Sequence, residues 1–148
     1  MAGSRGGGSG AGVPAVPLAP ADYRTLSQFR YLLQRFLAFS QDAARDAGLT
    51  PRQHQALLAI KGFPQPESVT IHDLAERLGI RHHSAVELVD RLVEAGLVRR
   101  AADAADGRRV LLRLTPAAER RLAALSAAHL QELQRLRPAL QEILAAID

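Results

Sequence analysis

Between Thr70 and Thr115 the apolar positions change period, and the changes mark out elements. Ile71, Leu74, Ala75 and Leu78 recur at helical spacing and give one apolar face. Thr70 stands where an N-cap belongs, and Asp73 three residues on completes a capping-box-like start. Gly79 follows the last periodic residue, where a left-handed C-cap forms cheaply, and Ile80 plugs the turn. A second helix is predicted from about His82 or His83 to Ala95, its buried face made by Ala85, Leu88, Val89, Leu92 and Val93, with Gly96 ending it. Leu97-Val98-Arg99-Arg100 then reads as a short strand and Val110 to Leu114 as its return. Between them Asp103, Asp106 and Gly107 supply turn chemistry. Helix, turn, helix and hairpin in this order predict a winged helix-turn-helix, a mainly α fold with a small β-hairpin wing.

The flanks repeat the helical period over longer stretches. Asp22 to Ala47 reads as one helix, with Leu26, Phe29, Leu32, Leu33, Phe36, Leu37 and Ala43 at helical spacing. Thr115 to Ala128 and His129 to Ile147 read as one long helix or two, with Pro138 expected to kink or divide the last stretch. Leu122, Leu125, His129, Leu133, Leu136, Leu140, Ile143, Leu144 and Ile147 form a stripe too long for one small domain to cover. Such a stripe asks for a partner helix. Leu26, Phe29, Leu33, Leu133, Leu136, Leu140, Leu144 and Ile147 are therefore the expected dimerisation residues.

In a helix-turn-helix the N-terminal part of the second helix meets base edges in the major groove. Here that part exposes Arg81, His82, His83, Ser84 and Glu87, with Arg91 one turn beyond. Adjacent helical side chains diverge by about 100°, so His82 and His83 cannot face the same base pair. The hairpin carries Arg99, Arg100, Arg108, Arg109 and Arg113 against only Asp103 and Asp106. A basic hairpin beside such a helix suits phosphate or minor-groove contact.

Composition narrows the classes. The chain of 148 residues is one domain's length, and 47% apolar residues are enough for a core. Aromatics make up only 4%, so that core is Leu, Ala and Val. With no Cys there is no disulfide framework, thiolate metal site or cysteine redox switch. A net charge of +4, carried almost wholly by Arg, mildly favours a polyanion partner. Residues 1–20, MAGSRGGGSGAGVPAVPLAP, are Gly, Ser, Ala and Pro with one charge, and are expected to form a disordered tail. Pro14, Pro17 and Pro20 break any secretory apolar core, and no stretch reaches membrane-spanning length, so a cytoplasmic protein without a membrane partner is expected. Residues 21–148 are expected to form one winged-helix domain, with a DNA-binding lobe at about 49–115 and dimerisation helices at about 22–47 and 116–148.

Leu49-Thr50-Pro51-Arg52-Gln53-His54, the Leu74-to-Ile80 run LAERLGI, Leu88-Val89-Asp90-Arg91-Leu92, Gly96-Leu97-Val98, Asp106-Gly107-Arg108 and Leu114-Thr115-Pro116 together resemble the multiple-antibiotic-resistance regulator (MarR) family of bacterial transcription factors. The resemblance runs from about Asp22 to the C-terminus. Glu87 departs from it, standing where many members place a basic or hydroxyl residue, and Ala118 replaces a common Gly. The resemblance implies a twofold dimer reading a pseudo-palindromic operator in double-stranded DNA, more in the manner of a repressor than an activator. It implies release by a small aromatic or phenolic effector, held in a crevice walled by Tyr31, Arg35, Phe36, Phe39, His54, Leu57 and Leu58. It also implies a wing in which Arg108 pairs with Asp106 or Asp103 while Arg109 points to phosphate. The DNA-contact residues are then Arg81, His82, His83, Ser84, Glu87, Arg91, Arg108 and Arg109.

Catalysis has no foothold. GGGSGAG lies in the tail without a strand before it or a helix after it, so it is not a phosphate loop. There is no nucleophile elbow, and the carboxylates are scattered among arginines. The five histidines show no metal spacing; His54 and His72 read as structural. No cofactor, metal or enzymatic activity is expected. Two rival functions remain: a constitutive or architectural DNA binder without effector, and a winged-helix protein–protein adaptor.

Overall fold

Threonine side chains start three of the five helices. Thr50 Oγ1 accepts from Gln53 N at 3.1 Å and opens α1's successor, α2, at Pro51–Lys61; the preceding helix, α1, spans Pro20–Asp46. Thr70 Oγ1 accepts from Asp73 N at 3.2 Å while Asp73 Oδ2 accepts from Thr70 N at 2.9 Å, a closed capping box that starts α3 at Ile71–Leu78. Thr115 Oγ1 accepts from Ala118 N at 3.2 Å and starts α5 at Pro116–Ala145. Each such cap contributes about 1 kcal/mol by satisfying amides that no helical carbonyl reaches. These elements belong to a computed structural model that describes residues 16–148; the expected tail lies largely outside the described residues.

Between α3 and α5 lie α4, His82–Glu94, and a two-stranded antiparallel hairpin, β1 Val98–Ala102 and β2 Val110–Leu114. A short 3-10 turn, Pro66–Ser68, precedes α3. Gly79 ends α3 with φ 65°, a left-handed conformation that L side chains adopt only with strain, and Ile80 N closes the turn onto Ala75 O at 3.0 Å. Val98 faces Leu114 and Ala102 faces Val110 at the two ends of the ladder. On its other edge β2 makes one further bond, Leu112 N to Val69 O at 2.8 Å, which ties the residue before the α3 cap to the hairpin.

The core sits where α2, α3, α4, the wing and the start of α5 converge. Leu57, Ile60, Val69, Leu74, Val89, Leu92, Val98 and Leu112 are its largest fully buried side chains. Ala118 is also fully buried there, in the first turn of α5. α1 packs along α5 and enters this core only at its C-terminal end, through Ala44.

Pro138 does not divide the last helix: α5 is continuous from Pro116 to Ala145. Pro138 and Gln134, whose carbonyl loses its amide partner, both lie on exposed turns where water can take the bond. Packing of Ile143 and Leu136 against α1 holds the helix on both sides of the ring.

Candidate nucleic-acid interface

α4 has no side-chain cap. Arg81 occupies the N-cap position with extended backbone and makes no capping hydrogen bond. The first amides of α4 therefore point outward unsatisfied by side chains, beside the exposed Arg81, His82 and His83 and the half-buried Ser84. Such an end attracts anions through both its free N–H groups and the helix dipole. The opposite face of α4 is fixed by burial of Ala85, Leu88, Val89 and Leu92.

Beyond the first turn the outward face of α4 changes sign. Glu87, Asp90 and Glu94 are exposed there with Arg91. Arg100 on β1 donates to the Asp90 carboxylate, so one of these acids is neutralised by the wing and ties α4 to it. The cationic and hydrogen-bonding character of the face is concentrated at its N-terminal end and at Arg91.

The wing tip corrects one expectation. Arg109, not Arg108, reaches an acid: its Nη1 lies 3.8 Å from Asp103 Oδ2. Asp103 N donates to Arg109 O at 3.1 Å, so these two residues extend the ladder as an opposed pair and their side chains leave the same face. Arg108 lies one position into the turn. Its amide donates to Asp106 Oδ1 at 3.1 Å, and its guanidinium is exposed with no partner among the described residues.

The expected effector residues separate into four places. Tyr31 and Arg35 are exposed on α1 and engage each other, Arg35 Nη1 donating to Tyr31 Oη at 3.3 Å. Leu57 is fully buried core, and Leu58 is exposed on the surface of α2. Only Phe36, Phe39 and His54 come together, around His129 of α5. Phe36 and Phe39 stand edge-on to the His129 ring at 5.8 and 5.4 Å, and the His54 ring lies 4.8 Å from it. His129 Nδ1 is 2.6 Å from Leu125 O, which requires a proton on Nδ1; in the neutral ring Nε2 then accepts from Ser40 Oγ at 2.8 Å. His54 is only 4% exposed. Burial, and then repulsion from His129, hold its pKa below the ordinary histidine value. Sequence reasoning places His129 only on the apolar stripe of the last helix and does not reach Ser40. His129 sits four residues after Leu125 on the apolar stripe, where a polar residue signals an interior partner.

Among the expected dimerisation residues, Leu26, Phe29, Leu33, Leu133, Leu144 and Ile147 are exposed large hydrophobics, and Leu136 and Leu140 are half-buried. Phe29, Leu33, Leu133, Leu136 and Leu140 border a wholly apolar hollow of about 110 Å³ between α1 and α5. Among the described residues no group of three or more His, Asp or Glu could hold a metal ion, and no helix is long and apolar enough to cross a membrane.

Comparison with known proteins agrees with this geometry. Residues 47–109 match the MarR family. No curated protein matches the chain. A probable transcriptional regulator from Pseudomonas aeruginosa is similar at 30% identity, over 81% of this chain and 93% of that one, with a TM-score of 0.57. A MepR mutant from S. aureus, solved bound to an oligodeoxyribonucleotide, aligns at 20% identity over 85% of this chain and 98% of its own, TM-score 0.65. CouR from Rhodococcus jostii RHA1, solved bound to p-coumaroyl-CoA, aligns at 24% identity over 88% of this chain and 95% of its own, TM-score 0.65.

Proposed function

The chain belongs to the MarR family of transcriptional regulators, and from that premise we propose that it is a cytoplasmic homodimeric repressor that binds a pseudo-palindromic operator and leaves it when a small aromatic or phenolic effector binds. The observation that carries the DNA-binding part is the uncapped N-terminus of α4, with the exposed Arg81, His82 and His83 and the half-buried Ser84 around it; the exposed guanidinium of Arg108 at the wing tip adds a second cation. The first would read base edges and phosphate in the major groove; the second would meet the flanking backbone. The MepR complex with an oligodeoxyribonucleotide supports the same use of this fold.

Dimerisation is supported by the apolar residues that α1 and α5 leave in water. Two copies would place their α4 helices on successive half-sites about one helical turn apart. Release is supported by the cluster of Phe36, Phe39, Ser40, His54 and His129. It joins α1, α2 and α5, so a change of its packing moves the DNA-binding lobe against the helices that hold the dimer. CouR with p-coumaroyl-CoA supports a small-molecule effector carrying a phenolic group.

The experiment is selection of duplexes from a random pool, followed by affinity measurement across a salt series and in the presence of aromatic and phenolic carboxylates. The expected result is a palindromic logo, affinity that falls steeply with salt, and release by at least one such acid. A selected duplex that no effector releases would identify a constitutive binder. Failure to enrich any duplex would leave the protein–protein adaptor.

A further inference from the structure

The second turn of α4 shows the solvent one side chain. Val86 is half-buried and Leu88 and Val89 are buried, so Glu87 alone of these four residues is exposed. At about 100° per residue, His83, Glu87, Asp90 and Glu94 project from the side of α4 opposite its buried stripe. Asp90 is held by Arg100 of β1, and Glu94 is the last residue of the helix. Glu87 is thus the acid nearest the end of α4 that would meet base edges. It makes no ion pair among the described residues, although Arg91 stands four positions on, a spacing at which a helical glutamate and arginine can meet.

The four bases offer such a group different partners in the major groove. A carboxylate accepts hydrogen bonds and donates none. Guanine presents N7 and O6, and thymine presents O4 and a methyl group, so neither edge carries a donor. Cytosine and adenine each present an amine. The adenine amine lies between two acceptors, its own N7 and O4 of the paired thymine. The cytosine amine has an acceptor on one side only, O6 of the paired guanine. A carboxylate therefore finds a donor with the least repulsion at cytosine. At guanine or thymine it would lose water with no donor in exchange, which penalises the wrong base as well as favouring the right one.

On the reading of α4 as the helix in the major groove, we propose that Glu87 is a specificity-determining residue that accepts from the N4 amine of one cytosine in each half-site. The cations around it, Arg81 at the start of α4 and Arg91 one turn beyond, offset the charge it brings to the duplex. Affinity then comes from the arginines and the choice of base from the acid.

The test is selection from a random duplex pool with the full chain, run in parallel with Glu87→Gln, Glu87→Ala and Glu94→Gln. The parent logo should hold one cytosine per half-site that flattens in Glu87→Ala. In Glu87→Gln the same position should become adenine, because an amide pairs with N6 and N7 of adenine together. The other positions, and the whole logo of Glu94→Gln, should stay as in the parent. Replacing that cytosine in the selected duplex should weaken the parent at least about tenfold and Glu87→Ala by less than about twofold. A parent logo reproduced by both Glu87 variants overturns base reading by Glu87 and leaves the DNA-binding reading standing, even where those variants bind every duplex more tightly. Failure of the parent to enrich any duplex removes the DNA-binding reading and the role of Glu87 with it.

Discussion

The two halves of the molecule treat their large apolar side chains in opposite ways. In the lobe of α2, α3, α4 and the wing, Leu57, Ile60, Leu74, Leu92 and Leu112 are removed from water almost completely. In the arm of α1 and the distal part of α5, Leu26 is 60% exposed, Leu144 60% and Ile147 67%. Both halves are written in the same Leu- and Ala-rich alphabet and both show helical periodicity. The lobe closes on itself because its helices are short and cross around one point. The arm is two long helices side by side, which can cover only one face of each other. The lobe is therefore a finished reader and the arm an unfinished one, completed in our account by a second copy.

The largest effect should come from charging the arm. Leu133→Asp places a carboxylate at the border of the α1–α5 hollow in both copies, and burial of a leucine contributes about 1.5–3 kcal/mol each time. The variant should lose association by about 4 kcal/mol or more and sediment as single or unfolded chains, with operator affinity lost together with the dimer. A Leu133→Asp protein that remains a tight dimer would mean that the arm is not the interface. In the lobe the response should be the reverse. Leu57→Ala should lower the melting temperature, at a cost of about 2–5 kcal/mol, while the surviving folded protein sediments as the parent does.

Acid should act at the seam between the halves. His54 has its pKa held below 6.5 in the folded protein, so the unfolded chain binds the proton more readily. Stability is then fully present above pH 6.5 and is lost as pH falls below it, by at most about 1.4 kcal/mol per unit until the folded value is reached. Thermal melts from pH 7.5 to 5 should show a shallower acid loss in His54→Gln than in the parent. Equal slopes would remove His54 from the account.

The smallest effect separates the two wing-tip arginines. Arg108→Ala should flatten the salt dependence of duplex binding by about one unit. Arg109→Ala, which loses mainly an internal contact to Asp103, should change that slope less. Salt titrations of both variants give the comparison, and the opposite order would restore Arg109 as the phosphate contact.

What was legible in the sequence follows the same division. Caps and turns are local, and Thr70, Gly79, Gly96 and the wing strands stand where residue types put them. The MarR likeness and the winged helix were legible for that reason. Whether Pro138 would divide α5 was not legible because its cost depends on exposure, which periodicity does not report. The pairing of Arg109 rather than Arg108 with an acid was hidden because it turns on how far the ladder runs past Val110. The His129 cluster was hidden because its members lie on three helices, with Ser40 and His129 89 positions apart. Long-range polar contacts leave no local period to read.

The central claim is that two joined copies read one operator, and its most direct measurement is the affinity of the selected duplex with and without an insertion of about five base pairs, half a helical turn, between its half-sites. The insertion rotates one half-site to the far side of the duplex. A dimer joined through α1 and α5 should lose specific affinity and fall back to salt-dependent, sequence-independent binding. Unchanged affinity after the insertion would show that each winged helix binds alone, and would contradict the account.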